Sequence, residues 1–224
     1  MDAVIKVTTH NQYHNPDGLS PATVAPSPID EFRAWFTHAQ SSGVPEPEAM
    51  SLATATPAGV PSVRVVLLKQ VDARGFVFFT NYESRKSQEL ATNPHAAMAI
   101  YWKEISRQIR VVGRVERVDE KESDAYYASR PLGSRVGAWA SPQSQPVAED
   151  ELQKRVHDVE ERFSAQIANS DVPRPDFWGG WRIVPDEVEF WIGKPSRLHD
   201  RIQYLRKENS DAEAPEWTIR RIAP

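Results

Sequence analysis

The 224-residue chain contains no cysteine. Disulfides, thiolate metal sites and a cysteine nucleophile are therefore excluded, and the composition fits a reducing compartment. No stretch reaches the ~18 apolar residues that a membrane span needs. Residues 1–30 hold one lysine (Lys6), no arginine and three aspartates. That start has neither the arginines of a mitochondrial presequence nor the apolar core of a secretory signal, so a cytoplasmic location is expected. A positive balance is missing too. With 27 Lys+Arg against 31 Asp+Glu, the net charge of −4 argues against a nucleic-acid partner. The six histidines show no metal-ligand spacing, so no metal site is expected. Neither a phosphate-binding GxGxxG or Walker loop nor a nucleophile elbow is present.

The acidic total hides two basic stretches. Residues 84–135 carry ten Lys+Arg against seven Asp+Glu, and residues 194–207 carry five against one. Local anion sites would explain this; uneven solvated surface is the plain alternative.

Length and composition suit one large domain. Residues 1–26, polar and interrupted by Pro16, Pro21 and Pro26, are expected to be a mobile arm. A domain over 27–224 begins with a helix: Ser27 as N-cap, Pro28 at the first helical position, and Ile29, Phe32, Trp35 and Phe36 on its apolar face. Strands follow at "MSLATAT", "SVRVVLLK" and "FVFFT", separated by the turn signals Pro57-Ala58-Gly59 and Asp72-Ala73-Arg74-Gly75. A short helix from about Ser84 to Thr92 precedes "AAMAIYW". In "RQIRVVGRVERV", Ile109, Val111, Gly113 and Val115 alternate with Gln108, Arg110, Arg114 and Glu116. Helices are expected near 120–129 and 149–167, then strands at "GWRIV", "EVEFWI" and "WTIRRI". Consecutive hairpins imply a mainly β fold, an antiparallel sheet closed as a small barrel with helices outside. "RPLGSRVGAWASPQSQ" (130–145) shows no period of either kind, yet offers many hydrogen-bond donors.

Several residues invite a chemical reading. In "TNYESRKSQEL", Arg85 and Lys86 occupy the first turn of a helix, against its dipole. A bound anion would reverse that cost, and solvent-pointing side chains are the bland alternative. Arg64 sits in an apolar strand and needs a partner. In "SRLHDRIQYLR", Arg197, His199 and Arg201 alternate, hence would share one face if extended. Gln108 alone means little, and Trp191 reads by propensity as core.

Taken in order, "RVVLLK", "FFTNYESRK", "RQIRVVGRVE", "YYASRPLGSRVGAWASPQSQ", "WGGWRIVPDEVEFW", "PSRLHDRIQY" and the closing "RIAP" resemble the pyridoxine/pyridoxamine 5′-phosphate oxidase family from about residue 27 onward. The resemblance implies an FMN-binding split barrel and a homodimer with flavin at the subunit interface. It implies FMN contacts from Arg64, Val65, Val66, Leu67, Leu68 and Lys69, from Phe79, Thr80, Arg85, Lys86 and Gln108, and from Gln143, Ser144, Trp191 and Arg201. Substrate phosphate would meet Lys69, Tyr126, Arg130 and Ser134. Arg197, Leu198 and His199 would lie at the pyridine ring, with Arg197 and His199 carrying the catalytic role. The implied reaction oxidises pyridoxine or pyridoxamine 5′-phosphate with dioxygen to pyridoxal 5′-phosphate, giving hydrogen peroxide, and ammonia from the amine. A split-barrel flavin oxidase of another ring, or a flavin- or vitamer-binding protein without turnover, are the alternatives. The sequence departs from the family at His10, where arginine is frequent three residues before Tyr13, and at Leu132, where arginine is also common.

Overall fold

A computed structural model describes residues 4–8, 12–208, 210–211 and 214–224; His10 lies outside them. Among the described residues the strands are β1 (Ala49–Ala55), β2 (Pro61–Leu67), β3 (Gln70–Asp72), β4 (Gly75–Asn81), β5 (His95–Trp102), β6 (Arg107–Arg117), β7 (Trp178–Ile192), β8 (Asp200–Arg206) and β9 (Trp217–Arg221). They form one antiparallel sheet in the order β2-β1-β5-β6-β7-β4-β3, with β8 and β9 extending from β7. Just past β2, the Lys69 N–H donates to the Val77 carbonyl of β4 at 2.8 Å. That bond brings the two ends of the sheet together as a split barrel. Alternation in β5 and β6 fills its interior: Met98, Ile100, Ile109 and Val111 are buried there with Met50, Leu52, Phe76 and Phe78.

The first helix, α1 (Pro28–Ser41), starts as the sequence requires. The Ser27 side chain accepts the Ile29 N–H at 3.2 Å, and Asp30 and Glu31 fill the first turn. Its apolar face joins the barrel core, with Phe32 edge-on to Phe76 at 5.1 Å and Trp35 edge-on to Phe190 at 5.0 Å.

Three segments differ from the sequence reading. "GWRIV" and "EVEFWI" are one strand, β7, whose first half pairs with β4 and whose second half pairs with β8. A bulge joins the halves, because β6 pairs Val112 with Glu187 but Gly113 with Pro185. Any side chain at Gly113 would run into the Val184 carbonyl, so the bulge needs glycine. The aperiodic 130–145 segment contains a helix, α4 (Leu132–Ala140). Leu132, Val136 and Ala140 do recur every four residues, but Gly133 and Gly137 dilute the signal. Arg135 is buried with its guanidinium on the Ser170 carbonyl at 2.9 Å. The helix expected over 149–167 breaks at Phe163 into α5 (Glu151–Arg162) and α6 (Ser164–Ala168), where Phe163 packs 5.0 Å from Trp139.

The segment expected to be a mobile arm is engaged from Gln12 onward. Asn15 donates to the Ile105 carbonyl at 2.8 Å, Asp17 pairs with Arg107 at 2.7 Å, and Leu19 is buried. The Ala25 carbonyl accepts the Tyr204 hydroxyl at 2.8 Å. The two remaining helices, α2 (Arg85–Thr92), which follows β4 and packs on β1, and α3 (Glu120–Ser129), which packs on β7, complete the frame of the site.

Candidate active site

Between β2, β4, α2, α3 and α4 lies a cleft of about 1050 Å³. Its described lining holds five cationic side chains, Arg64, Lys69, Arg85, Lys86 and Arg130, and no carboxylate. Val65, Val66, Leu67, Phe79, Thr80, Tyr126, Ser134, Gln143 and Ser144 also line it. Leu68 does not: its side chain is buried in the core behind the strand end.

Lys86 is buried, with 7% of its surface exposed. Its ammonium bonds only to neutral atoms: Gln143 Oε1 at 3.0 Å, the Thr80 hydroxyl at 3.3 Å and the Ser84 hydroxyl at 3.4 Å. Burial first, and the Arg64 charge second, pull its pKa from 10.5 down to about 8. Ser84, at the N-cap position of α2, makes no side-chain cap bond. Its hydroxyl donates instead to the Asn81 carbonyl at 2.7 Å, so the first-turn N–H groups have no side-chain acceptor. A desolvated ammonium, a bare helix N-terminus and no carboxylate in the lining together fit an anion such as a phosphate.

Arg64 and Arg85 are held differently. Both converge on Glu89, a buried carboxylate one turn into α2, at 3.6 and 2.9 Å. Burial works to raise the Glu89 pKa. Hydrogen bonds from the Ser62 and Thr54 hydroxyls and from Arg85 outweigh it and hold it at about 2. Arg64 is further pinned by the Thr54 hydroxyl at 2.7 Å and the Ser62 hydroxyl at 2.6 Å. The partner that a charged residue on this strand required is therefore Glu89.

Arg130 faces the other end of the cleft. Its guanidinium lies over Trp178 at 4.7 Å, and its Nη1 is shielded from water with no hydrogen-bond partner. Burial lowers its pKa. A buried donor left unmade costs about 1–3 kcal/mol, which an anion would relieve. Beside it Tyr126 stacks on Phe79, centroids 4.0 Å apart and planes at 17°, and Trp178 continues the stack. Sequence reasoning missed Trp178. The signal was the adjoining Gly179-Gly180, which leave room for Tyr82 and for Phe79, the residue paired with Gly180 across the strands.

Gln108, Trp191, Arg197, Leu198, His199 and Arg201 do not line this cleft. They form a second cluster. Cross-strand register sets Tyr101 opposite Gln108, Gln108 opposite Trp191, and Trp191 opposite Arg201, one row across β5, β6, β7 and β8. Trp191 is half-buried rather than core, since Tyr13 and His199 cover it at 5.3 and 4.6 Å. The expected alternation of Arg197, His199 and Arg201 on an extended strand is not found. Pro195–Arg197 make a tight turn with Ser196 and Arg197 at φ 54° and 62°, and β8 begins only at Asp200. Leu198 stands exposed on that turn. His199 Nδ1 accepts the Lys194 backbone N–H at 3.0 Å, which places the ring proton on Nε2. Burial, then Arg197 and Arg201, hold the His199 pKa below its ordinary value.

Comparison with known proteins agrees with this geometry. A family model described as pyridoxamine 5′-phosphate oxidase matches residues 36–163, and one described as the pyridoxine 5′-phosphate oxidase C-terminal dimerisation region matches 178–224. The pyridoxine/pyridoxamine 5′-phosphate oxidase of Burkholderia ambifaria is 52% identical over 207 residues, 92% of this chain and 93% of that one. The protein of the same description from Bordetella petrii is 48% identical over 220 residues, 98% of this chain and 100% of that one. Among solved structures, PhzG from Burkholderia lata in complex with tetrahydrophenazine-1-carboxylic acid superposes with a TM-score of 0.83 at 31% identity, covering 94% and 100% of the two chains. A pyridoxamine 5′-phosphate oxidase-related, FMN-binding protein from Nostoc punctiforme shares the fold at TM-score 0.68 and 17% identity, covering 88% and 98%. In its motifs, its split barrel and its relatives alike, the chain belongs to the pyridoxine/pyridoxamine 5′-phosphate oxidase family.

Proposed function

We propose that this chain oxidises pyridoxine 5′-phosphate and pyridoxamine 5′-phosphate to pyridoxal 5′-phosphate, with FMN as bound cofactor, as a homodimer. The observation that carries the reading is the pair of desolvated cations at opposite ends of one cleft. Lys86 with the α2 N-terminus suits one phosphate, and Arg130 with Ser134 and Lys69 suits another. The chemistry that bound FMN would supply is acceptance of a hydride from the 4′ carbon and return of the electron pair to dioxygen, giving hydrogen peroxide.

The chain's own residues bind and orient. Lys86, Thr80, Gln143 and Ser144, with Arg85 and the β2 segment, would hold the flavin; Arg130, Ser134, Tyr126 and Lys69 would hold the substrate phosphate. His199, neutral and with its proton on Nε2, is suited to donate to an oxygen of the substrate ring rather than to abstract a proton. Arg197 beside it would complete the ring contacts. A ring substrate with no anionic group would leave the Arg130 Nη1 unanswered, and the convergence of Arg130, Ser134 and Lys69 suits the several oxygens of a phosphate, which favours the phosphorylated vitamers.

The separation of the two clusters supports the dimer. One cleft lacks Gln108, Trp191, Arg197, His199 and Arg201, and a second copy can supply them across the bare face of β2. Val63 and Val65 there are each 69% exposed, and a matching dimerisation region covers β7 to β9. Purified protein is expected to be yellow, dimeric and able to form pyridoxal 5′-phosphate with uptake of dioxygen. Colourless protein that takes up no FMN, or FMN-loaded protein inert towards both vitamers, refutes the reading.

A further inference from the structure

Arg201, assigned to the flavin, has its charge answered by Glu189, a carboxylate with 2% exposure on the neighbouring strand, and is also bonded to a backbone carbonyl near the last residues of the sequence. Its Nε donates to Glu189 Oε1 at 2.8 Å, and its Nη1 donates to the Ala223 carbonyl at 2.8 Å. The tail is held alongside, since the Ile222 N–H donates to the Arg201 carbonyl at 3.1 Å. The other Glu189 oxygen takes Arg110 through Nη2 at 3.0 Å and Nε at 3.3 Å, and Arg110 also pairs with Glu187. Glu189 stays ionised: burial would raise its pKa, but Arg201 and Arg110 together bring it below the ordinary value. Contacts at Nε and Nη1 define the plane of a guanidinium and leave the Nη2 hydrogens unused by these partners.

We propose that Glu189 and the Ala223 carbonyl are positioning groups for flavin binding, which hold the Arg201 guanidinium in one orientation and leave its Nη2 to donate to the flavin. The inference rests on the assignment of Arg201 to FMN. Without Glu189, Arg201 would lose its paired carboxylate while Arg110 kept Glu187, and the Arg201 Nε would no longer be held. Without the tail, the guanidinium would keep its charge partner but lose the second point that fixes its plane.

A double-mutant cycle tests this on the full chain, read by FMN titration and by thermal melting. Arg201→Ala should raise the FMN dissociation constant at least about tenfold, the effect of one charge-assisted contact. Glu189→Gln, and separately a chain ending at Ile222, should each raise it about three- to tenfold when Arg201 is present. Neither change should weaken FMN further in the Arg201→Ala background. Equal losses in both backgrounds, or no loss in either, would show a structural staple and overturn the proposal. Should Glu189→Gln fail to fold, the shortened chain, which keeps the buried carboxylate, carries the same cycle. If Arg201→Ala itself leaves FMN affinity unchanged, the placement of flavin at Arg201 fails, an outcome distinct from failure of the positioning role.

Discussion

The cleft and the aromatic row treat positive charge in opposite ways. In the cleft, Lys86 is desolvated among neutral acceptors and Arg130 keeps a shielded, unpartnered Nη1. In the row, Arg201 is held at Nε by Glu189 and at Nη1 by the Ala223 carbonyl, and His199 has its Nδ1 occupied by a backbone N–H. Unanswered charge marks where a ligand's charge must arrive. Answered charge marks a group whose direction, rather than whose sign, is being used. Arg64 and Arg85 stand between these cases, since Glu89 tethers both at the mouth of the same cleft.

The comparison can be broken most forcefully at the face that would unite the two clusters. Val63→Asp places a carboxylate on the bare edge of β2, where burial without a partner costs several kcal/mol. The variant should sediment as a monomer and lose its flavin and nearly all turnover; a dimer with full activity removes this face from the interface. Next in size, Arg130→Ala should raise the Michaelis constant for pyridoxine 5′-phosphate about ten- to a hundredfold and leave FMN affinity nearly unchanged. Steady-state kinetics at saturating FMN read the first, and flavin titration the second.

Lys86→Met should weaken FMN about tenfold and also change the pH profile. In the folded protein without flavin, Lys86 releases its proton near pH 8, against 10.5 for the free side chain. Between those values the unfolded chain binds more protons, so stability without flavin should rise with pH across that window. FMN affinity should fall over the same window, because a phosphate needs the ammonium. Both slopes should flatten in Lys86→Met, as melting and titration between pH 7 and about 10 would reveal. Smallest is Arg85→Ala. This side chain is 59% exposed and already paired with Glu89, so FMN affinity should drop only a few-fold, with substrate binding unchanged. A loss as large as that for Lys86 would mean that Arg85 leaves Glu89 when flavin binds.

Local chemistry was legible in the sequence, and long-range pairing was not. The Ser27-Pro28 start of α1, the alternation of β6 and the β1–β2 hairpin each depend on a few adjacent residues and stand as read, whereas the turn at 72–75 joins β4 to the short strand β3 rather than to "SVRVVLLK". The phosphate-suited cations were visible because "SRK" sets two of them against a helix dipole. Glu89 and Glu189 escaped notice, since their meaning comes from Thr54, Ser62, Arg110 and Arg201 far along the chain. Helix α4 was hidden by its glycines, and Trp178 by resembling a core residue. The division of the site residues into two clusters was implied only by the resemblance, because nothing in the motifs states which strand lies beside which.

Strand β7 has a consequence for mixtures of chains. Trp178 at its first residue floors the cleft, and Trp191 near its last anchors the aromatic row. At ~3.3 Å per residue the thirteen steps between them span on the order of 40 Å of backbone. Damage at one end need not be felt at the other. Chains impaired at Arg130 and chains impaired at His199 should each turn over poorly alone at low substrate concentration, yet co-assembled they should complement. Each hybrid pair would hold one centre bearing both lesions and one bearing neither. With random pairing, roughly a quarter of all centres would be restored, a yield set by counting partners and independent of how severe either lesion is.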